Sequence, residues 1–248
     1  NKQFQANLST FEPASNYIRI VRQFTDEMIH LYGIGYAQND NQILREFQKK
    51  AFTLDTLLAA DVVRMSDEHK SYYDTFRQRI TFPYMDMHGK ITGFTARITD
   101  KTAKAAKYLN TGDTISFNKG SVLFGLFQAK EAIVQAGRAY LAEGQTDVIS
   151  VAQRGVRNII AGSGTALTDT QARLLKRFTN TIILLYDSDI AGLKASIANA
   201  KVLLAHGFDV RAVQLPDGHD PDDFNKSTQN DDLGILLKNR ETNFIKYF

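Results

Sequence analysis

The sequence predicts an α/β protein: an α+β N-terminal part followed by a Rossmann-like parallel sheet with flanking helices. Three observations carry this. From Tyr140 onward short apolar runs alternate with helix-patterned segments. Those runs lack period-2 alternation, so both faces need covering, as in a parallel sheet between helical layers. Before Gly137 the pattern differs, with helices first and a hairpin after them.

Composition sets the bounds. The 248 residues are 43% apolar and 23% charged, enough for a core in one large domain or two small ones. No run of about 18 apolar residues is present, so no membrane span is expected. The opening NKQFQANLSTFEP has no signal-peptide pattern and reads as a chain entered mid-protein. Zero cysteines exclude disulfides and cysteine-ligated zinc within these residues, which fits a cytosolic setting. The net charge of +3 is unevenly spread: residues 1–130 hold 17 basic against 13 acidic side chains, and residues 131–248 hold 13 against 14. Residues 77–119 alone hold 8 basic and 3 acidic. A basic segment paired with an acidic cluster suits a polyanion brought to metal-binding carboxylates, where a solvated charged face is the plainer account.

Residues 15–32 carry a helical pattern that breaks near Gln23 to Thr25, where Thr25 can cap a second helix before Gly33-Ile34-Gly35-Tyr36 interrupts it. Two more helices are expected over 41–50 and 53–60. Residues 79–84 and 91–97 flank Met87-His88-Gly89-Lys90 as a hairpin, with Pro83 placing the first strand at an edge or bulge. Arg97 falls on the face opposite Phe94. An irregular stretch then leads to a helix over 127–136, and the boundary between subdomains is expected near Gly137.

Beyond it, strands are expected over 139–142, 158–161, 181–186 and 209–214, with helices over 147–154, 168–178 and 190–206. The second of these opens on a T-x-x-Q capping box, Thr168 and Gln171. The division is 1–136, 137–230 and 231–248, the last as the start of a C-terminal helical subdomain with Ile235, Leu236, Phe244 and Phe248 as its apolar tail.

The run TIILLYDSDIA, residues 181–191, is where chemistry enters. It ends on Asp187 and Asp189, and parallel strands joined by right-handed crossovers bring their carboxyl ends to one edge, where ligands bind. Glu143 closes the first strand of that sheet, with Asp147 one turn into the next helix. Asp220 and Asp222 sit in the loop expected after the fourth strand. Gathering these like charges is unfavourable without a cation among them, and oxygen donors favour Mg²⁺ or Mn²⁺. Two such ions about 3.5–4 Å apart serve phosphoryl or nucleotidyl transfer.

Plainer accounts exist for each residue. Asp189 can cap the helix at Ile190, and Asp220 and Asp222 flank Pro221 as turn residues do. Gly162 to Leu167 imitates a dinucleotide loop, but Leu167 stands where the third glycine belongs, so a tight loop near the acidic edge is the reading. His30, His69, His88, His206 and His219 form no metal spacing and read as surface, turn or loop residues. Tyr108, in a basic stretch, reads as a stacking or hydrogen-bonding group.

In this order the motifs resemble the catalytic core of bacterial DnaG-type replicative primases. Glu143-Gly144, Asp187-Ser188-Asp189 and Asp220-Pro221-Asp222 resemble the TOPRIM fold shared with type IA and II topoisomerases. Phe76-Arg77-Gln78-Arg79, Gly93 to Arg97, Lys107-Tyr108-Leu109-Asn110 and Phe117-Asn118-Lys119-Gly120 match primase motifs. The resemblance implies RNA primer synthesis on single-stranded DNA from ribonucleoside triphosphates, with Mg²⁺ or Mn²⁺, in the bacterial cytoplasm at the replication fork. It implies metal at Asp187, Asp189, Asp220 and Asp222, with Glu143 as the acid/base group or a further metal ligand, Asp147 in support, and Glu143, Asp187 and Asp189 catalytic. It implies template and nucleotide at Arg22, Arg77, Arg79, Arg97, Lys107, Tyr108, Asn110 and Lys119.

The family's zinc module needs cysteines these residues lack, and its helicase-binding domain would follow Phe248, so the chain reads as an excised core with no zinc and no helicase contact of its own. Thr95-Ala96 replaces a usual glycine pair, Gln145-Thr146 an aromatic-methionine pair, Ser188 a glycine and Ala106 a proline. None removes a charge the mechanism uses. The alternatives are a catalytically inactive single-stranded DNA-binding module and a nuclease or topoisomerase-like relative that cleaves strands.

Overall fold

The computed structural model describes residues 1–66, 68, 70–100, 102, 105–162, 164 and 166–247. His69, Ser163 and Thr165 of the imitation dinucleotide loop, and Phe248 of the apolar tail lie outside the described residues. Residues 1–86 and 90–119 form one unit, and residues 87–89 and 120–248 the other.

The first unit opens with helices α1 (Lys2–Thr10) and α2 (Glu12–Asn16), a π-helical turn (Tyr17–Val21) and α3 (Asp26–Leu31). Gln23 adopts φ +59°, a left-handed conformation that a helix cannot continue, and Thr25 Oγ1 then accepts Met28 N–H at 3.3 Å as the expected cap. α1 was not anticipated. No side-chain bond caps it, and tertiary contacts hold it instead: Phe4 meets Phe94 edge-on at 5.4 Å, and Asn7 donates to the Tyr36 carbonyl. A Cβ on Gly35 would strike Phe4 Cβ at 2.5 Å, so that glycine lets α1 lie directly on strand β1 (Gly35–Ala37).

Helices α4 (Gln42–Lys49) and α5 (Leu54–Ala59) follow as anticipated, then β2 (Val63–Met65), β3 (Tyr72–Asp74), β4 (Arg79–Met85), β5 (Ile91–Ile98) and β6 (Tyr108–Asn110). β1, β4, β5 and β6 make an antiparallel sheet in the order β1-β4-β5-β6, while β2 pairs with β3 alone. β4 is therefore not an edge strand. β1 pairs only with residues 79–81, so Pro83 keeps an unpaired flank that needs no N–H, and the ladder slips between Tyr84 and Met85.

In the second unit helix α6 (Leu126–Ala136) precedes β7 (Ala139–Ala142), α7 (Gln145–Gln153), β8 (Ile159–Ala161), α8 (Asp169–Leu175), β9 (Thr181–Leu185), α9 (Ile190–Ala205) and β10 (Asp209–Val213). The expected boundary near Gly137 thus falls one helix after the unit begins, because Leu126, Ala129 and Ile133 of α6 sit in this unit's core. Then come α10 (Pro221–Ser227), α11 (Leu233–Asn239), β11 (Glu241–Asn243) and α12 (Phe244–Tyr247). The tail is no separate helical piece: β11 pairs antiparallel with β10, and Phe244 joins the core.

The sheet order is β11-β10-β9-β7-β8, with β10, β9, β7 and β8 parallel. One face, through Leu141, Ile160, Ile182 and Leu184, packs with side chains of α6, α8 and α9. α7, buried from residue 145 through 152, packs against β7 and β8, and α10 packs on α7. Each of these fully buried aliphatic side chains contributes roughly 1.5–3 kcal/mol. Neighbouring β7 and β9 send their chains to opposite sides, which places a switch-point crevice at their carboxyl ends. Among the described residues no helix is long and apolar enough to cross a membrane.

Candidate active site

Glu143 is the residue after β7, and Asp187 is the second residue after β9, so both stand at that crevice. Glu143 Oε1 is buried with no hydrogen-bond partner. Burial, and then the charges of Asp187, Asp189 and Asp220, push its carboxyl up to about 7 against the pull of the Asp187 N–H. Asp147, 8% exposed, is raised well above the carboxylate range by burial and then by Asp220, Asp187 and Asp222, although it accepts the Gly144 N–H at 3.1 Å. Both carboxyls, which follow β7, thus sense aspartates that follow β9 and β10. Tyr186 is likewise held protonated by burial, with Glu143 adding to it.

Asp189 caps α9, its Oδ1 accepting Gly192 N–H at 2.7 Å. Gly192 is required there: a Cβ would come within 2.2 Å of the Asp187 carbonyl oxygen and 2.9 Å of Glu143 Oε1. Asp220 caps α10, accepting Asp223 N–H at 2.6 Å. Asp222 is therefore not in a loop but in the first turn of α10, with Pro221 at a position where its missing N–H costs nothing. At 2% exposure its carboxylate accepts Ser150 Oγ–H at 2.6 Å through one oxygen and Lys226 Nζ at 2.8 Å through the other. The structure thus turns Asp222 toward α7. A cavity of about 230 Å³ borders Glu143 and is lined by Gly162, Gly164, Ala166, Tyr186 and Asn199, which puts the imitation dinucleotide loop beside the acidic edge as expected.

Among the described residues no three His, Asp or Glu side chains are drawn together closely enough to hold a metal ion, so the carboxylates do not converge as tightly as the topology suggests. The donor set nevertheless fits a hard divalent cation. It is all oxygen, one buried oxygen lacks a partner, and burial together with the neighbouring aspartates raises the pKa of both Glu143 and Asp147, which a cation among them would relieve.

The basic residues lie in the first unit. Arg97 and Tyr108 are cross-strand partners on β5 and β6; the guanidinium donates to Tyr108 Oη at 2.9 Å and lies 5.5 Å from its ring centre. Arg22 makes the same arrangement with Tyr17, 3.1 Å to the hydroxyl and 5.7 Å to the ring. Arg97, Lys107 and Tyr17 line one cavity of about 350 Å³. Tyr17 was missed in the sequence because a five-residue offset to Arg22 is out of α-helical phase; the π turn brings the two together. Arg77 is exposed and lies over Tyr73 at 4.3 Å, Lys107 is exposed, and Asn110 and Lys119 are half-buried. Arg79 departs from expectation: it is 6% exposed and its Nη1 lies 3.3 Å from both the Ala96 and Lys107 carbonyls, so it braces the sheet. Burial lowers its pKa from the usual arginine value.

Comparison with known proteins places the chain in a family. The family model for the DNA primase catalytic core, N-terminal domain, matches residues 3–130, and a Toprim-like model matches residues 140–225. A DNA primase of Clostridium acetobutylicum is 35% identical over 240 residues, covering 96% of this chain and 39% of the relative. The chain therefore spans about two fifths of the length of the curated relatives it matches. The crystal structure of the Aquifex aeolicus primase zinc-binding and RNA polymerase domains superposes with a TM-score of 0.89 at 34% identity, covering 97% of this chain and 59% of that one. A DnaG primase catalytic domain bound to single-stranded DNA does so with a TM-score of 0.86 at 30% identity, covering 97% and 76%. The chain belongs to the family of bacterial DnaG-type DNA primase catalytic cores.

Proposed function

We propose that this chain is the nucleotidyl-transfer core of an enzyme that makes short RNA primers on single-stranded DNA from ribonucleoside triphosphates, using Mg²⁺ or Mn²⁺. The observation that carries the reading is the buried, unpartnered Glu143 Oε1 set among the charges of Asp187, Asp189 and Asp220 at the β7/β9 switch point. Glu143, Asp187, Asp189 and Asp220 would hold the metal, and Asp147 stands behind them. Asp222 supports the site chiefly by fixing α10, since its two oxygens already accept from Ser150 and Lys226. A bound divalent cation supplies charge neutralisation for the transferring phosphoryl group.

The primer 3′-hydroxyl attacks the α-phosphorus of the incoming nucleotide, the bond to the β-phosphate breaks, and pyrophosphate leaves. Where it does not ligate the metal, Glu143 is the chain's proton acceptor for that hydroxyl. Its carboxyl, poised near 7 in the metal-free chain, and its unpartnered oxygen suit it to take a proton. In the first unit Arg22, Arg77, Arg97 and Lys107 supply phosphate contacts that position a strand without reading its sequence, and Tyr108 supplies a stacking face. A relative's structure bound to single-stranded DNA supports that choice of partner.

The test is incorporation of labelled ribonucleotides on single-stranded DNA with and without Mg²⁺ or Mn²⁺. Metal-dependent product is expected. Salt-sensitive DNA binding with no product under either metal would sink the reading in favour of a binding module, and a stable protein–DNA tyrosine adduct would favour strand cleavage.

A further inference from the structure

We infer that Ser188 is a positioning residue that sets the spacing between the paired aspartates and Asp220, and that its hydroxyl thereby tunes the chain's affinity for a divalent cation. The inference rests on the carboxylate edge being the metal site.

The observation is a reciprocal clasp between two loops 31 residues apart. Ser188 Oγ–H donates to the His219 carbonyl at 3.1 Å, and the same Oγ accepts the His219 N–H at 3.1 Å. The Ser188 N–H adds a third bond to the His219 carbonyl at 3.2 Å. Ser188 separates Asp187 from Asp189, and His219 immediately precedes Asp220, so the clasp joins the two acidic loops one bond away from their carboxylate-bearing residues.

Both sides of the clasp are otherwise fixed. On one, Asp189 caps α9 through Gly192. On the other, Gly218 at φ +75° closes a turn in which His219 N–H also donates to the Pro216 carbonyl, and Asp220 caps α10. α10 is pinned to α7, where Asn225 Nδ2 donates to Ser150 and Arg154 holds the Asn225 carbonyl at 3.0 Å. Between these anchors Ser188 links the loops directly, through its backbone N–H and its hydroxyl. A residue without the hydroxyl keeps the backbone bond and loses both side-chain bonds. Like-charged loops then spread apart in the metal-free chain, and the cation must draw them back, which weakens its binding.

The test is Mn²⁺ binding to the full chain, read from the electron paramagnetic resonance of the free ion, with no nucleotide or DNA present. Ser188→Ala and Ser188→Gly are expected to raise the Mn²⁺ dissociation constant about three- to ten-fold, the scale of losing one or two neutral hydrogen bonds. Ser188→Thr, which keeps a hydroxyl, is expected to restore it, with thermal unfolding confirming that each variant folds. Wild-type affinity in both Ser188→Ala and Ser188→Gly, or failure of the threonine to restore binding, overturns the clasp while the metal site stands. A wild-type chain that takes up no Mn²⁺ overturns both, and Asp187→Ala, expected to lose binding outright, tells the two failures apart.

Discussion

Glu143 and Gly192 approach so closely that a Cβ at residue 192 would lie 2.9 Å from Glu143 Oε1 and 2.2 Å from the Asp187 carbonyl oxygen. The strand-end carboxylate and the first turn of α9 are thus fitted to each other through the absence of a side chain. Gly192→Ala must move either α9 or the Asp187 backbone. It is expected to cost roughly 1–3 kcal/mol of stability and to lower turnover at least ten-fold. Urea unfolding and incorporation kinetics measure the two effects.

The acidic edge makes stability depend on pH in a particular direction. In the folded chain the Glu143 carboxyl is pushed up to about 7, whereas the unfolded chain releases its proton near the ordinary glutamate value of 4.5. A raised folded pKa gives stability that is fully present below the unfolded value and lost as pH rises through the folded one. Asp147 is shifted the same way. In chelator the melting temperature is expected to fall between pH 5 and pH 8, and Mg²⁺ to raise it more at pH 8 than at pH 5. A chelator-treated chain whose melting temperature is flat over that range would contradict the electrostatic account.

Lys226 and Ser150 share the carboxylate of Asp222, which is 2% exposed. Lys226→Met removes the cationic partner of that buried charge and is expected to cost roughly 2–4 kcal/mol. Pairing it with Asp222→Asn should recover much of the loss, since the buried charge goes too. Denaturant unfolding of the two single variants and the double variant gives the coupling.

Two arginines a strand apart should behave in opposite ways. Arg97→Ala is expected to shallow the slope of log K for single-stranded DNA against log salt by about 0.7, the value for one lost phosphate contact. Arg79→Ala removes a buried brace on the Ala96 and Lys107 carbonyls, so it should lower the unfolding midpoint and leave the slope alone. Fluorescence anisotropy over a salt series separates the two.

Legibility in the sequence followed interaction range. The β7 to β10 runs and their intervening helices were readable because apolar length and capping residues are local, and the Thr168–Gln171 box forms as its spacing requires. Three-residue strands such as β1, β2, β3 and β6 are too short to carry a period, and they exist because neighbours pair with them. α10 was hidden by acids and proline that read as a turn, although a cap residue followed by proline also starts helices. The strand-end acids could be gathered from topology alone. Their supporting partners could not: Ser150 meets Asp222 across 72 residues and Ser188 meets His219 across 31, with no motif linking either pair. Arg79 was misplaced for the same reason, since two adjacent-face basic residues look alike until burial separates them.

The proposed function requires divalent metal on the β7/β9 edge during nucleotidyl transfer. Crystals soaked with Mn²⁺ and a ribonucleoside triphosphate test it most directly through the anomalous signal of manganese. Peaks ligated by Glu143, Asp187 or Asp189, with the nucleotide phosphates against them, are expected. Manganese bound elsewhere on the chain, with those three carboxylates bare, would contradict it.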